Sequence, residues 1–292
     1  ILYSMTLYKY TIVNRNDEKP IILNANTLEV VNINLESNKL FNGDIFTYNK
    51  DKVEFVSSFV RELTNIPGVL IIEGNKTFGR ENKHKIIDGK TYTRNSLKIV
   101  AGKLLYKFIP NDLSLPPFLV PYEMNKMDFN KFFNNLYVII KFKSWDVKHP
   151  HGSISQIIGN VNDLNSFYEY QIYCKSLNIS LRHFQNKLTK IIDKVNIDII
   201  SKKNIENRLN QNVFTIDPET TKDYDDAFSI IQKDETMFIV SIYISNVPVI
   251  LDELDLWSDM TERVSTIYLP NGNKPMLPTI LSEGLCSLKK DE

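Results

Sequence analysis

Four aspartates stand within ten residues in the stretch Asp217-Pro218-Glu219-Thr220-Thr221-Lys222-Asp223-Tyr224-Asp225-Asp226, and the chain on either side is apolar. Val213-Phe214-Thr215-Ile216 leads in and Ala227-Phe228-Ser229-Ile230-Ile231 leads out, both rich in residues that favour strands. Carboxylates this dense repel one another, and burying them uncompensated costs on the order of several kcal/mol each. A divalent cation offsets that cost. The pattern predicts that Asp217 closes a strand, that Pro218 stops its ladder, and that the loop returns Asp223, Asp225 and Asp226 towards the strand end. Hard oxygen ligands so gathered suit Mg²⁺ or Mn²⁺, which keep positions open for water and a substrate phosphate. An EF-hand calcium loop fits poorly, because its central Gly and twelfth-position Glu are missing. A solvated acidic turn is the alternative that spacing leaves open.

The formal net charge of zero hides an asymmetry. Residues 213–292 hold 6 Lys and Arg against 15 Asp and Glu, which leaves 29 against 20 in residues 1–212. A basic part joined to an acidic one points to a polyanion-binding module that delivers substrate to a cation-binding site. The most basic window contains Lys76, Arg80, Lys83, Lys85, Lys90 and Arg94, interleaved with Phe78, His84 and Tyr92. On hairpins, such charges meet phosphates and such rings stack on bases, as single-stranded nucleic acid requires. A solvated lysine-rich face over core aromatics is the equal alternative.

The periodicity predicts four segments. Short strand patterns separated by Asn, Asp and Gly fill residues 1–65, reading as a small antiparallel barrel or sandwich, and a second β-rich unit fills 66–162. Val53 to Leu63 reads equally as strand or helix. Residues 163–212 turn helical. Phe167, Tyr170, Cys174 and Leu177 recur three or four apart over 164–178 behind Asp163 as N-cap. A second helix is expected over 181–195 behind Ser180, and a third over 202–210. Residues 213–292 alternate strand and helix, with a strand at 237–245, a helix at 254–261 and extended segments around Asn271-Gly272-Asn273. Cys174 and Cys286 lie far apart and make no metal spacing, which reads as reduced thiols in an intracellular protein. No apolar run approaches the roughly 18 residues of a membrane span, so no membrane partner is expected. The chain opens Ile1-Leu2-Tyr3-Ser4-Met5, without an initiator methionine, and is expected to be a fragment of a longer reading frame.

The stretch from Thr215 to Ala227 resembles the signature of the ribonuclease II/R family, which includes the catalytic subunit of the eukaryotic exosome. Three further motifs follow in the family's order: Ser265-Thr266-Ile267-Tyr268-Leu269-Pro270, Pro275-Met276-Leu277-Pro278, and Leu281-Ser282 with Leu285-Cys286-Ser287-Leu288. Upstream, Phe108-Ile109-Pro110-Asn111-Asp112 and the segment from Pro150 to Gly159 are similar to the family's second cold-shock barrel. The resemblance implies a multidomain, β-rich plus α+β chain. It would hold two OB-like, cold-shock-type barrels, a helical linker and the N-terminal part of an α/β RNB catalytic domain. It also implies processive 3′→5′ hydrolysis of single-stranded RNA to nucleoside 5′-monophosphates with Mg²⁺ or Mn²⁺. An exosome-like or other RNA-decay assembly is an implied partner.

By position, Asp217, Asp223 and Asp226 match the family's metal-binding aspartates, and Asp225 matches the aspartate whose loss abolishes catalysis. Tyr268 matches the tyrosine that packs on the 3′-terminal nucleotide. Two departures qualify this. The family often has a His and an Asp where this chain reads Tyr243-Ile244-Ser245-Asn246-Val247, for which only local packing changes are expected. The family's catalytic domain also continues beyond the equivalent of Glu292, where it supplies an arginine and base-clamping aromatics. The 292 residues alone are therefore expected to bind RNA with little or no cleavage, and a catalytically inactive RNA-binding protein is the alternative function.

Overall fold

The computed structural model describes residues 6–16, 19–33, 35, 39–49, 52–81, 85–87, 90–92, 102–124, 133–192, 208, 210–219, 221–222, 224–260 and 264–289. They fall into two compact units, Ile1–Ser176 and Leu177–Glu292.

The first unit begins with an antiparallel sheet of β1 (Leu7–Thr11), β2 (Ile21–Asn24), β3 (Ile45–Asn49) and β4 (Lys52–Ser57), in the order β2-β1-β3-β4. Among the described residues this sheet is open. The two-residue period of a strand turns Tyr10, Ile22 and Phe46 to one face, where they pack with Ile12 and Leu40. The ambiguous stretch from Val53 to Leu63 holds both elements, since β4 gives way at Ser58 to a single helical turn, α1 (Phe59–Glu62).

A closed barrel follows. Its strands are β5 (Ile66–Ile71) and, after a separate hairpin of β6 (Lys85–Ile87) and β7 (Lys90–Tyr92), β8 (Leu104–Pro110), β9 (Phe118–Tyr122), β10 (Leu136–Ser144) and β11 (His151–Asn160). They close in the order β10-β11-β9-β8-β5. Leu70, Phe108, Phe118, Val120, Val138 and Ile140 fill the interior. At Gly68 a side chain cannot be accommodated: a Cβ there would meet Phe108 Cζ and the Ile109 carbonyl oxygen, each at 2.3 Å. The helix α2 (Leu164–Cys174) then starts at Asp163, whose carboxylate accepts from Ser166 N at 2.9 Å as an N-cap. Of the expected apolar face, Tyr170 is buried and stacks on Tyr137 with centroids 4.2 Å apart, whereas Phe167 and Leu177 stay partly exposed.

The sheet has its own core, and the connections that flank it pack against that of the barrel. Phe41, from the β2–β3 connection, stacks on Phe118 at 5.9 Å and meets Trp145 at 4.8 Å. Arg15 donates to the Ser114 carbonyl at 2.8 Å and to that of Leu40. The Arg61 guanidinium lies over the rings of Phe41, Phe55 and Phe142 at 5.1, 4.2 and 5.0 Å. The counter-charge is Asp44, fully buried, which accepts from Phe41 N at 2.9 Å and Ser58 Oγ at 2.5 Å, with Arg61 Nη2 at 3.8 Å. Burial pushes its carboxyl up, against the opposing pull of Ser58, the Phe41 N–H and both arginines.

The second unit is built on α3 (Arg182–Ile191), which presents Phe184, Leu188 and Ile191 at helical spacing. Its expected start holds to within two residues, but Ser180 is not the N-cap; Leu181 occupies that position. A three-stranded sheet of β12 (Val213–Phe214), β13 (Asp226–Gln232) and β14 (Phe238–Ile244) follows, in that order. The helix expected at 254–261 lies earlier, as α4 (Val247–Glu253). Asn246 caps it by accepting from Val249 N, and Pro248 occupies its first turn, where a missing N–H is harmless. The β-branched residues around Pro248 masked this helix in the sequence. Residues 257–259 form one 3₁₀ turn, and a hairpin of β15 (Ile267–Leu269) and β16 (Gly272–Lys274) completes the unit. Ile250, Leu251, Leu256, Leu277 and Leu281 pack on Phe184 and Leu188. The third helix expected at 202–210 falls almost wholly outside the described residues. No described helix is long and apolar enough to cross a membrane.

Replacing Asp44 by Ala removes the anion while leaving Arg61 desolvated, which costs roughly 3 kcal/mol. Urea unfolding should show a lowered midpoint with the slope unchanged. An unshifted midpoint would mean that the network does not hold sheet to barrel.

Candidate active site

The sheet of the second unit positions the acidic segment. β12 pairs with β13 through Val213↔Ser229 and Phe214↔Phe228, and β13 pairs with β14 from Asp226↔Ile244 to Gln232↔Phe238. The end of β12, the start of β13 and the end of β14 therefore lie at one end of the sheet. Residues 215–225 leave and re-enter at that end. The lead-in strand stops at Phe214, two residues before the apolar run ends, so Asp217 stands three residues beyond it in irregular chain. At Pro218 the chain turns, with Thr221 N donating to the Pro218 carbonyl at 3.0 Å.

Asp217, Asp225 and Asp226 are all solvent-exposed. Tyr224, just before Asp225, donates its N–H to Ser287 Oγ at 3.0 Å, and its carbonyl accepts from Leu288 N at 2.9 Å. The Asp225 carbonyl accepts from Ser245 N at 3.4 Å. Asp226 opens β13. Its neighbour Ala227 is buried, as is Ser229, while Ile230, Val240, Ile242 and Ile244 leave an apolar face open. Exposed carboxylate oxygens are hard donors, and as a donor set these three fit Mg²⁺ or Mn²⁺. Among the described residues, however, no three His, Cys, Asp or Glu side chains stand close enough to enclose an ion. Asp223 lies outside the described residues.

The remaining candidates are dispersed. Tyr268, in the middle of β15, is 79% exposed, as a stacking ring needs to be. Lys76 and Arg80 are exposed beyond β5. The Lys76 ammonium sits 5.7 Å from the Phe78 ring centre, and Arg80 donates to the Gly102 carbonyl at 3.0 Å, so part of its guanidinium serves the fold. Lys85, Lys90 and Tyr92 fall on the β6–β7 hairpin, with Lys85 opposite Tyr92. Lys83 and Arg94 lie outside the described residues. Burial pushes the Cys286 thiol up to about 11, so it stays protonated at neutral pH and is no nucleophile. Residue-type reasoning missed Ser245 and Ser287. The signal for Ser287 was present in Leu285-Cys286-Ser287-Leu288, but only as a motif without a role.

Residues 205–292 match the family model described as RNB domain, and residues 105–169 match the one described as Dis3-like cold-shock domain 2. Residues 205–292 thus carry an RNB domain, and the chain is similar to ribonuclease II/R proteins. It is 27% identical over 219 residues to the DIS3-like exonuclease 2 of Schizosaccharomyces pombe, a match covering 70% of this chain and 23% of that protein. It is 33% identical over 149 residues to the exoribonuclease 2 of Psychromonas ingrahamii, covering 49% and 21%. Among solved structures, Mycoplasma genitalium RNase R in complex with ribose methylated single-stranded RNA shares the fold. That match has a TM-score of 0.60 and 18% identity, over 98% of this chain and 42% of that one. The chain thus spans less than a quarter of the length of these curated relatives.

The two departures from the ribonuclease II/R pattern are accommodated locally. The Tyr243 hydroxyl bonds Ser229 Oγ at 2.9 Å and donates to Gln211 Oε1 at 2.5 Å. Asn246 caps α4 through its side-chain oxygen, a task an aspartate performs equally well. Asn246→Ala should accordingly lose about 1 kcal/mol of unfolding free energy and Asn246→Asp almost none. If both cost the same in a thermal melt, the cap is not what this position supplies.

Proposed function

We propose that this chain is part of a hydrolytic 3′→5′ exoribonuclease that degrades single-stranded RNA to nucleoside 5′-monophosphates with Mg²⁺ or Mn²⁺. One observation carries the reading. An RNB domain over residues 205–292 retains Asp217, Asp223, Asp225 and Asp226 in order, in a connection that leaves and re-enters one end of a sheet. Asp217, Asp223 and Asp226 would hold the metal, and Asp225 would orient metal and water at the scissile phosphate. A bound divalent ion supplies a more acidic water and neutralises charge building on the phosphodiester oxygens. The ring of Tyr268, held outward on its hairpin, stacks on the 3′-terminal base. Lys76, Arg80, Lys83, Lys85, Lys90 and Arg94, with Tyr92, bind the upstream strand through phosphates and bases.

The test is release of mononucleotides from a 3′-labelled single strand by the full-length protein. EDTA should stop it, and Asp225→Asn should slow it by about 100-fold or more. An unchanged rate in Asp225→Asn sinks the role of Asp225. Metal-independent or absent cleavage by the wild type favours the catalytically inactive RNA-binding protein instead.

RNA binding by the 292 residues should weaken steeply with salt. Five phosphate contacts would give a slope of about −3.5 in log K against log salt. A flat dependence measured by fluorescence anisotropy would remove the basic window from the RNA path.

A further inference from the structure

We propose that Ser287 is a positioning residue, which holds the main chain at Tyr224 so that the two aspartates that follow it, Asp225 and Asp226, serve one metal site. The assignment rests on the exoribonuclease reading above, but the observations behind it are separate. Tyr224 lies between Asp223 and Asp225, and both of its main-chain polar groups are taken by one dipeptide. Its N–H goes to Ser287 Oγ at 3.0 Å, and its carbonyl receives Leu288 N at 2.9 Å. Fixing both groups of Tyr224 restrains the peptide that joins it to Asp225, and with it the direction in which the Asp225 side chain leaves the backbone.

The next two residues are held by a different element. The Asp225 carbonyl accepts from Ser245 N, and Asp226 pairs with Ile244 at the end of β14. Three consecutive positions are thus set from two sides, and Ser287 is where a side chain does the holding on one of them.

The support behind Ser287 is rigid. Cys286 N donates to the Leu281 carbonyl at 2.8 Å, and Ser287 N donates to that of Gly284 at 3.0 Å. Leu281 is fully buried among Phe184, Leu188 and Leu251, and Ser287 itself is 8% exposed. The hydroxyl oxygen is therefore presented from a fixed place. Alanine there would leave the Tyr224 N–H without its acceptor and free the segment to yield to repulsion between its carboxylates. Groups that orient metal ligands without touching the ion typically change affinity by about 10- to 100-fold when removed.

The experiment uses the full-length protein and Mn²⁺ alone as the probe, titrated by calorimetry, beside steady-state cleavage of single-stranded RNA. Ser287→Ala should weaken Mn²⁺ binding by about 10-fold or more. It should lower kcat while leaving KM for RNA unchanged, and excess Mn²⁺ should restore part of the rate. Ser287→Thr, which keeps the acceptor oxygen, should restore affinity and kcat together. Should the alanine variant unfold, Ser287→Cys, similar in size but a poor acceptor, carries the same comparison. Wild-type Mn²⁺ binding that a folded Ser287→Ala or Ser287→Cys leaves unchanged overturns this assignment alone. Failure of the wild type to bind Mn²⁺ overturns the functional reading and this assignment with it.

Discussion

Carboxylates confined to one short loop repel, and the local structure of the second unit answers that repulsion. Two unit charges about 5 Å apart repel by roughly 1 kcal/mol in water and roughly 3 kcal/mol near a protein surface. A single hydrogen bond contributes about 1 kcal/mol net. One such bond cannot hold three or four aspartates in register, whereas several acting on consecutive residues can. That is the arrangement found: Tyr224 is held on both of its main-chain groups by Ser287 and Leu288, Asp225 by Ser245 N, and Asp226 by the β14 ladder. The supports come from segments 20 and about 60 residues further along the chain. On the proposed reading, a divalent cation would offset the repulsion that remains once the backbone is fixed.

The first unit handles a carboxylate in the opposite way. Asp44 is fully buried and neutralised from within, by Ser58, the Phe41 N–H and the arginines at 15 and 61. Burial alone would drive it to protonate, and the surrounding donors oppose that. Its purpose is mechanical, since the same arginines reach the Ser114, Leu40 and Lys39 carbonyls and cover the rings that join sheet to barrel. A carboxylate with its partners supplied by the fold is structural. The exposed aspartates Asp225 and Asp226 of the acidic segment are instead positioned through their backbones.

The sequence made much of this legible where one short-range rule was in force. Runs of strand-favouring residues found β10, β11, β13 and β14, each of which pairs along a ladder. Asp163 announced α2, since an N-cap is a local bond. The rule failed where two signals competed. Val247-Pro248-Val249 looks extended by its branched side chains, yet Asn246 and a first-turn proline make it the start of α4. The lead-in to the acidic segment looks apolar through Ile216, but its ladder ends at Phe214, and Ile216 is 80% exposed. The candidate site was legible as residue types at a spacing. Its supports were not, because Ser245 and Ser287 act through contacts 20 and 63 residues away in the chain, and a serine carries no signal of what it will touch.

The positions that depart from the family's pattern show how such supports differ from ligands. Tyr243 reaches across to Ser229 and Gln211, so the buried hydroxyl of Ser229 gains partners. Asn246 supplies the oxygen that caps α4, as an aspartate would. Both side chains hold a hydrogen-bonding geometry without a formal charge, which a supporting position tolerates. A metal ligand does not, since asparagine offers one neutral oxygen where aspartate offers two that share a negative charge. At the four positions proposed to serve the metal, 217, 223, 225 and 226, the sequence has aspartate each time.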